Sequence, residues 1–275
     1  MKESPHTASL ALITGGSSGM GLEYARQLAA KGYRLLIVSN REDELAAAAD
    51  ILNTLFADKA KSPEFANADA MVLTRYQDLS LPHAADDLFQ WCQANDLLPD
   101  LLINNAGIFF FKELTTDRLP MAETLLNLHI HTVTRLCILF GNAMKARGSG
   151  HIINVSSLAA RLPYPGITLY AASKAYLRSF GQSFYYELKP YGVHLTTVCP
   201  AAIATPLYNL GEKWMRIGLL TGIIHTPRWL VKRALRASMK GRRMISPSLM
   251  NLYAPPLLAL LPKRCVSALW KKLKQ

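Results

Sequence analysis

At 275 residues, half of them apolar and 18% charged, the chain can bury a full core, and its composition excludes global disorder. No stretch offers the roughly eighteen uninterrupted apolar residues of a spanning helix. Residues 10–13 are too short for a signal-peptide core, and Cys92, Cys137, Cys199 and Cys265 match neither a zinc spacing nor a compact disulfide framework, so a reducing, cytoplasmic setting is expected.

Short apolar runs alternate with longer helical patterns. Residues 10–14 read as a buried strand, and 19–31 as a helix that Gly32 ends in the usual capping position. A strand over 35–38, a helix over 42–56 and a weaker strand over 70–74 follow. Next come a helix near 82–95, a strand over 101–103 and a long helix filling most of 119–147. A strand over 151–155, a helix over 170–188 and a strand over 193–198 complete the regular pattern, with a helix over 228–240 and a seventh strand near 243–246. Strands that are apolar on both faces and alternate with helices imply a parallel sheet covered on two sides. The expected fold class is α/β, a doubly wound parallel sheet over residues 1–247, with a basic, amphipathic extension over 248–275.

The charge is one-sided. Residues 213–275 carry 14 Lys and Arg and no acid, which leaves 17 of the 31 basic residues against all 19 acidic ones in the first 212. Such a distribution points to an anionic partner.

Chemistry-bearing motifs sit at the strand ends. Thr14-Gly15-Gly16-Ser17-Ser18-Gly19-Met20-Gly21 joins the first strand to the first helix. Gly15 permits a tight turn, Gly19 lets backbone approach a pyrophosphate, and Gly21 lets the helix pack on the sheet. The helix N-terminus then presents N–H groups to the phosphates. The spacing G-x-x-x-G-x-G, in place of the commoner G-x-G-x-x-G, resembles the short-chain dehydrogenase/reductase family in its shorter form. The resemblance extends over residues 9–247.

The second strand ends Val38-Ser39-Asn40-Arg41, with no acid where a ribose 2′-OH would be recognised. Ser39, Asn40 and Arg41 offer donors suited to a 2′-phosphate, so NADP(H) is expected over NAD(H). Asp78-Leu79 resembles the family's adenine-pocket pair. Asn104-Asn105-Ala106-Gly107 resembles its N-N-A-G element, with Asn105, Ala106 and Gly107 beside the cofactor. Cys199-Pro200-Ala201-Ala202-Ile203-Ala204-Thr205 resembles its Pro-Gly segment near the nicotinamide, with Ala201 where the glycine stands, and assigns Pro200, Ile203 and Thr205 to the cofactor.

Ser157, Tyr170 thirteen residues later and Lys174 four after that match the family's catalytic spacing. The last two share one helix face. Carbonyl reduction needs a proton donor within hydrogen-bond reach of the oxygen. Tyrosine titrates near 10 in isolation, and a neighbouring ammonium favours its anion. The resemblance assigns Tyr170 the proton transfer, Ser157 the substrate oxygen, and Lys174 both Tyr170 and the nicotinamide ribose. The family commonly places an Asn in the long helix, and an ungapped alignment puts His129 there. Three readings compete: His129 relays protons, it packs while the proton leaves by another route, or the register is offset and Asn127 is the relevant residue.

Residues 207–226 correspond to the family's variable substrate loop and are rich in apolar side chains, which favours a lipid-, acyl- or sterol-like substrate. Residues 263–275 would form a basic amphipathic helix suited to an anionic membrane surface, and no nucleic-acid module is recognisable. The expected activity is hydride transfer between nicotinamide and an apolar carbonyl or alcohol, in a homo-oligomer and without a metal. A rival reading is a non-catalytic NADP(H)-binding sensor or scaffold at a membrane. A lyase or isomerase on the same site is a third.

Overall fold

The structure, a computed structural model, describes residues 8–59, 71–162, 164–204, 216, 218, 224–260, 262 and 264–266. Its centre is a seven-stranded sheet in the order β3-β2-β1-β4-β5-β6-β9, every neighbouring pair parallel. The strands are β1 (Leu10–Thr14), β2 (Arg34–Ser39), β3 (Val72–Tyr76), β4 (Leu101–Asn104), β5 (Gly150–Val155), β6 (Val193–Val198) and β9 (Met244–Ile245). β7 (Ala202–Ile203) and β8 (Ile224–His225) form a separate parallel pair.

Burial on both faces explains why the strands lack polar alternation. Leu10 and Leu12 of β1 face a core shared with α3 (Ala84–Ala94), α5 (Val133–Arg147) and α6 (Thr168–Leu188). Ala11 and Ile13 face the opposite core, built on α1 (Gly19–Ala29), α2 (Glu42–Lys59) and α7 (Pro227–Met239). Side chains alternate across a strand, so each central strand feeds two cores and is mostly apolar on both faces. Truncating a fully buried side chain such as Leu12 to Ala costs about 2–5 kcal/mol.

β3 is the exception, and its position gives the reason. It is an edge strand, partly exposed along its length, and Arg75 lies over the Trp91 ring at 4.6 Å. It runs two residues later than its composition suggests, and Ala70, where the sequence pattern starts it, lies outside the described residues.

Two further differences concern helices. The long helix over 119–147 is three pieces: α4 (Leu119–Leu126), a π-helical turn at Asn127–Thr132, and α5. A π-turn accommodates an extra residue and is common at functional sites. The apolar run after residue 248, which Pro255 and Pro256 interrupt in sequence, is helical through both prolines as α8 (Met250–Ala259). No described helix is long and apolar enough to cross a membrane.

The chain lays down β1, β2 and β3 in one direction, then returns to place β4 on the other side of β1. Such a reversal opens a crevice at the carboxyl ends of the strands.

Candidate active site

At the carboxyl end of β1 the chain turns sharply, with Gly15 at φ +64. The Gly15 and Gly16 N–H groups donate to Val38 O at 2.8 and 3.2 Å, which ties the turn to β2. A side chain at Gly21 would place its Cβ 1.8 Å from Gly15 O, so α1 can approach the turn only through glycine. No side chain caps the start of α1 at Ser18, and its first N–H groups face the crevice mouth unaided.

The loop after β4 is stitched to this turn. Asn105 Nδ2 donates to Thr14 O and Gly15 O, both at 3.1 Å. The Asn105 and Ala106 N–H groups donate to Thr14 Oγ1 at 3.0 and 3.1 Å. Between the two loops lies a cavity of about 300 Å³. Of the residues assigned to the cofactor from sequence, Gly15, Ser17, Ser18, Gly19, Met20, Ser39, Asn40, Arg41, Asp78, Leu79, Asn105, Ala106 and Gly107 all line it. Gly21 stands behind it. Asp78 is fixed by accepting from Ser80 N–H and O–H at 2.9 and 2.7 Å.

The rim near β2 contains a residue that sequence reasoning missed. Ser17 Oγ lies 2.9 Å from Ser39 Oγ and donates to Glu44 Oε2 at 3.3 Å, and Glu44 also pairs with Arg41. The spacing of three between Arg41, just before α2, and Glu44 in its first turn was the available signal.

At the β5 end the walls are side chains. Tyr170 and Lys174 lie one turn apart on α6, both buried. Lys174 Nζ donates to Val155 O at 3.0 Å and lies 5.6 Å from the Tyr170 ring centre. Burial lowers the Lys174 pKa to about 8, with Cys199 acting in the opposite sense. Ser156 Oγ donates to the Lys174 carbonyl at 2.7 Å, which locks α6 to β5. Ser157 is buried and caps the short turn over Leu158–Arg161, its Oγ accepting from Ala159 N–H at 3.1 Å. Leu158 N–H donates to Pro200 O at 2.7 Å. The Tyr170 ring meets Phe109 edge-on at 4.9 Å. A cavity of about 40 Å³ is lined by Tyr170, Lys174, His129, Pro200 and Ile203, and shares Met20, Asn105, Gly107 and Ile108 with the larger one.

His129 sits in the π-turn and is completely buried. Its Nε2 accepts from Ile108 N–H at 3.0 Å. A neutral imidazole that accepts at Nε2 carries its hydrogen on Nδ1, and Nδ1 lies 3.0 Å from Ser173 Oγ. Ser173 Oγ in turn donates to Tyr170 O at 2.8 Å. Burial first, and the Lys174 charge second, push the His129 pKa well below its ordinary value. Ser173 was not singled out from sequence, although it stands inside the Tyr170–Lys174 segment.

Beneath the site, Asn104 and Asn154 face each other on adjacent strands, and Asn104 Nδ2 donates to Asn154 Oδ1 at 2.9 Å. Thr205, most of the apolar loop over 207–226 and most of the basic segment over 263–275 lie outside the described residues. Among the described residues no cluster of His, Cys, Asp and Glu could hold a metal.

Comparison with known proteins follows this geometry. A family model described as short chain dehydrogenase matches residues 9–215. The very-long-chain 3-oxoacyl-CoA reductase of Mus musculus is 26% identical over 213 residues, covering 75% of this chain and 63% of that protein. The protein of the same name from Coccidioides immitis is 27% identical over 215 residues, covering 76% of this chain and 57% of that one. The chain therefore spans less than two thirds of the length of these relatives. A solved short-chain dehydrogenase from Sphingobium yanoikuyae in complex with NADPH superposes with a TM-score of 0.73 at 25% identity, covering 93% of this chain and 97% of that one.

Proposed function

The chain belongs to the short-chain dehydrogenase family, and from that premise we propose that it is an NADP(H)-dependent oxidoreductase acting on the carbonyl or alcohol of an apolar, acyl-like substrate. The observation that carries this reading is the buried Tyr170–Lys174 pair lining a small cavity that shares Met20, Asn105, Gly107 and Ile108 with a larger one walled by the glycine turn.

The cavity suits a dinucleotide. Its floor is backbone, a Cβ at Gly21 would collide with it, and a helix N-terminus faces the position of the phosphates. Bound nicotinamide supplies or accepts the hydride. The remaining chemistry falls to the chain. Tyr170 O–H donates the proton to the carbonyl oxygen in the reductive direction. Lys174, held by Val155 O, favours the negative charge left on the Tyr170 oxygen. Ser157 Oγ already accepts from Ala159 N–H, so its own O–H is available to the substrate oxygen. His129 is a fixed brace in this scheme: both ring nitrogens are committed, and they tie the loop after Gly107 to the helix that carries Tyr170.

Two features support the finer choices. Asn40 and Arg41 are exposed at the cavity rim with no acid at the strand end, which favours a 2′-phosphate. Arg41 must then be shared between that phosphate and Glu44. Apolar substrates are favoured by Phe109 and Ile108 beside Tyr170, and by relatives named for very-long-chain 3-oxoacyl-CoA reduction.

The test is oxidation of NADPH and of NADH, followed at the nicotinamide absorbance band, across ketones graded from short and polar to long and apolar, with Tyr170→Phe as control. Turnover that prefers NADPH and long apolar ketones, and that the variant lacks, is the expected result. Tight cofactor binding with no turnover of any ketone or matching alcohol would overturn the enzymatic reading.

A further inference from the structure

Beyond β9 the chain forms a helix with an unusual face. Ser248 is buried and its Oγ accepts from Met250 N–H at 3.3 Å, which starts α8. Asn251 is buried, and its Nδ2 donates to Cys199 O at 3.2 Å, at the end of β6. Pro255 has no N–H, so the helix cannot satisfy the Asn251 carbonyl four residues earlier. Arg161 Nη1 satisfies it at 3.1 Å. Arg161 closes the short turn that Ser157 caps. These contacts fix α8 beside the candidate active site, and they fix which face it turns outward.

That outward face is apolar. Leu249, Leu252, Tyr253, Leu257 and Leu260 are 72%, 64%, 57%, 64% and 80% exposed. Their spacing is that of one helix stripe. A stripe of large apolar side chains on a well-anchored helix marks an interaction surface. The charge of this part of the sequence narrows the partner, and Arg161, which holds the Asn251 carbonyl of α8, is exposed beside it. From Lys213 to Gln275 there are 14 Lys and Arg and no acid, and Arg264, just past the stripe, is exposed. Apolar side chains next to Arg161 and Arg264, in a segment of sequence whose only charges are positive, suit the interface of an anionic bilayer, where acyl chains take the first and phosphate headgroups attract the second. A second copy of this chain would bring the same positive charge against itself.

We propose that the outer face of α8 docks on an anionic lipid surface. The delivery of an apolar substrate from the bilayer to the adjoining site rests on the function proposed above, while the docking itself does not.

The experiment is flotation of the full chain with vesicles of phosphatidylcholine alone and of phosphatidylcholine mixed with phosphatidylglycerol, for the wild type and for Leu252→Glu/Leu257→Glu. Both substituted side chains point to solvent, so an unchanged circular dichroism melt accompanies the variant. The wild type is expected to float with the mixed vesicles and to be released in part by high salt. The double variant should bind about tenfold more weakly or worse. A wild type that stays in solution with both vesicle types overturns the proposal, as does a double variant that floats equally well. Light scattering that shows the double variant falling from oligomer to monomer, with flotation unaltered, assigns the stripe to a second copy and also overturns it. NADPH oxidation on a short soluble ketone, measured in parallel, should be the same for both proteins. Absence of turnover from both, on this and on every longer ketone of the graded set, would count against the oxidoreductase reading and leave the flotation result to decide docking by itself.

Discussion

At the β1 end of the crevice the wall is backbone, and at the β5 end it is side chain. The first half is held by N–H to carbonyl contacts between the Gly15–Gly16 turn and Val38, and by Asn105 reaching back to Thr14 and Gly15. The second half is Tyr170, Lys174 and His129, all buried, with Tyr170 packed edge-on against Phe109, Lys174 Nζ held by Val155 O and His129 Nε2 by Ile108 N–H, while Ser157 is buried at the start of the turn that follows β5. A backbone wall fails when an atom is added, because there is no room for it. A side-chain wall fails when a reactive atom is removed, and its packing can survive the loss.

The largest effect tests the second half of that contrast. Tyr170→Phe keeps the buried ring and its edge contact with Phe109, and deletes only the hydroxyl. We expect kcat to fall about 10²- to 10⁴-fold, while NADPH affinity, read by nucleotide fluorescence, stays close to wild type. Full turnover in this variant would remove Tyr170 from the chemistry. The first half should respond in the opposite way. Gly21→Ala puts a methyl group 1.8 Å from Gly15 O, against backbone that cannot yield cheaply. The strain of about 1–3 kcal/mol should weaken NADPH binding roughly 10- to 100-fold, in a protein whose Tyr170 is untouched. Wild-type affinity in this variant would mean that the turn relaxes and that the backbone account of the cradle is wrong.

A third test uses pH. Burial holds the Lys174 pKa near 8, so the ammonium is present below that pH and is lost above it. Reductive kcat/KM should therefore decline as pH rises through about 8, by about tenfold per unit once past it. Stability should move the other way. The unfolded chain keeps the proton up to about 10.4, so the cost of burying the charge disappears as pH rises through the same window. A flat rate profile from neutrality to pH 10 would exclude an essential Lys174 ammonium.

The two halves also differed in how far they could be read in advance. The glycine spacing announced the cradle because a backbone wall requires residues that only glycine can supply. Tyr170 and Lys174 were legible because one helix turn fixes their relation. What joins these parts was not legible. Asn104 meets Asn154 only because β4 and β5 pair in that register, and register is a tertiary outcome. The π-turn at Asn127–Thr132 adds a residue to a helix whose apolar period gives no sign of it. Pro255 and Pro256 read as an interruption, yet Arg161, distant in sequence, takes the carbonyl that Pro255 leaves unpaired and the helix continues. Glu44 lay within reach of an (i, i+3) rule from Arg41, and most of the apolar loop over 207–226 falls outside the described residues.

Arg41 gives a smaller effect at the cradle rim. It is exposed and already paired with Glu44, so its contact with a 2′-phosphate is made in competition and in water. Arg41→Ala should lower the NADPH-over-NADH preference in kcat/KM by about three- to tenfold. An unaltered preference would move cofactor selection to Ser39 and Asn40.

The smallest effect concerns whether the side-chain half carries a second titrating group. If His129 relays protons, kcat should show a limb near 6.5, and that limb should vanish in His129→Asn. The geometry favours the opposite. Nε2 is occupied by Ile108 N–H, Nδ1 by Ser173 Oγ, and the Ser173 hydrogen by Tyr170 O. Burial and the Lys174 charge keep the ring neutral. A neutral His in the folded state and a titratable one in the unfolded state have a definite consequence for stability. The unfolded chain gains protons as pH falls through about 6.5, so the contribution of His129 is complete above that pH and is lost below it. His151 is shifted in the same direction by burial, so the informative quantity is a difference. Between about pH 7 and pH 5.5 the melting temperature of the wild type should fall by a few degrees more than that of His129→Asn, while kcat remains flat for both. A rate limb confined to the wild type, with parallel melting curves, would make His129 a proton carrier and would place a moving charge where the structure has a fixed brace.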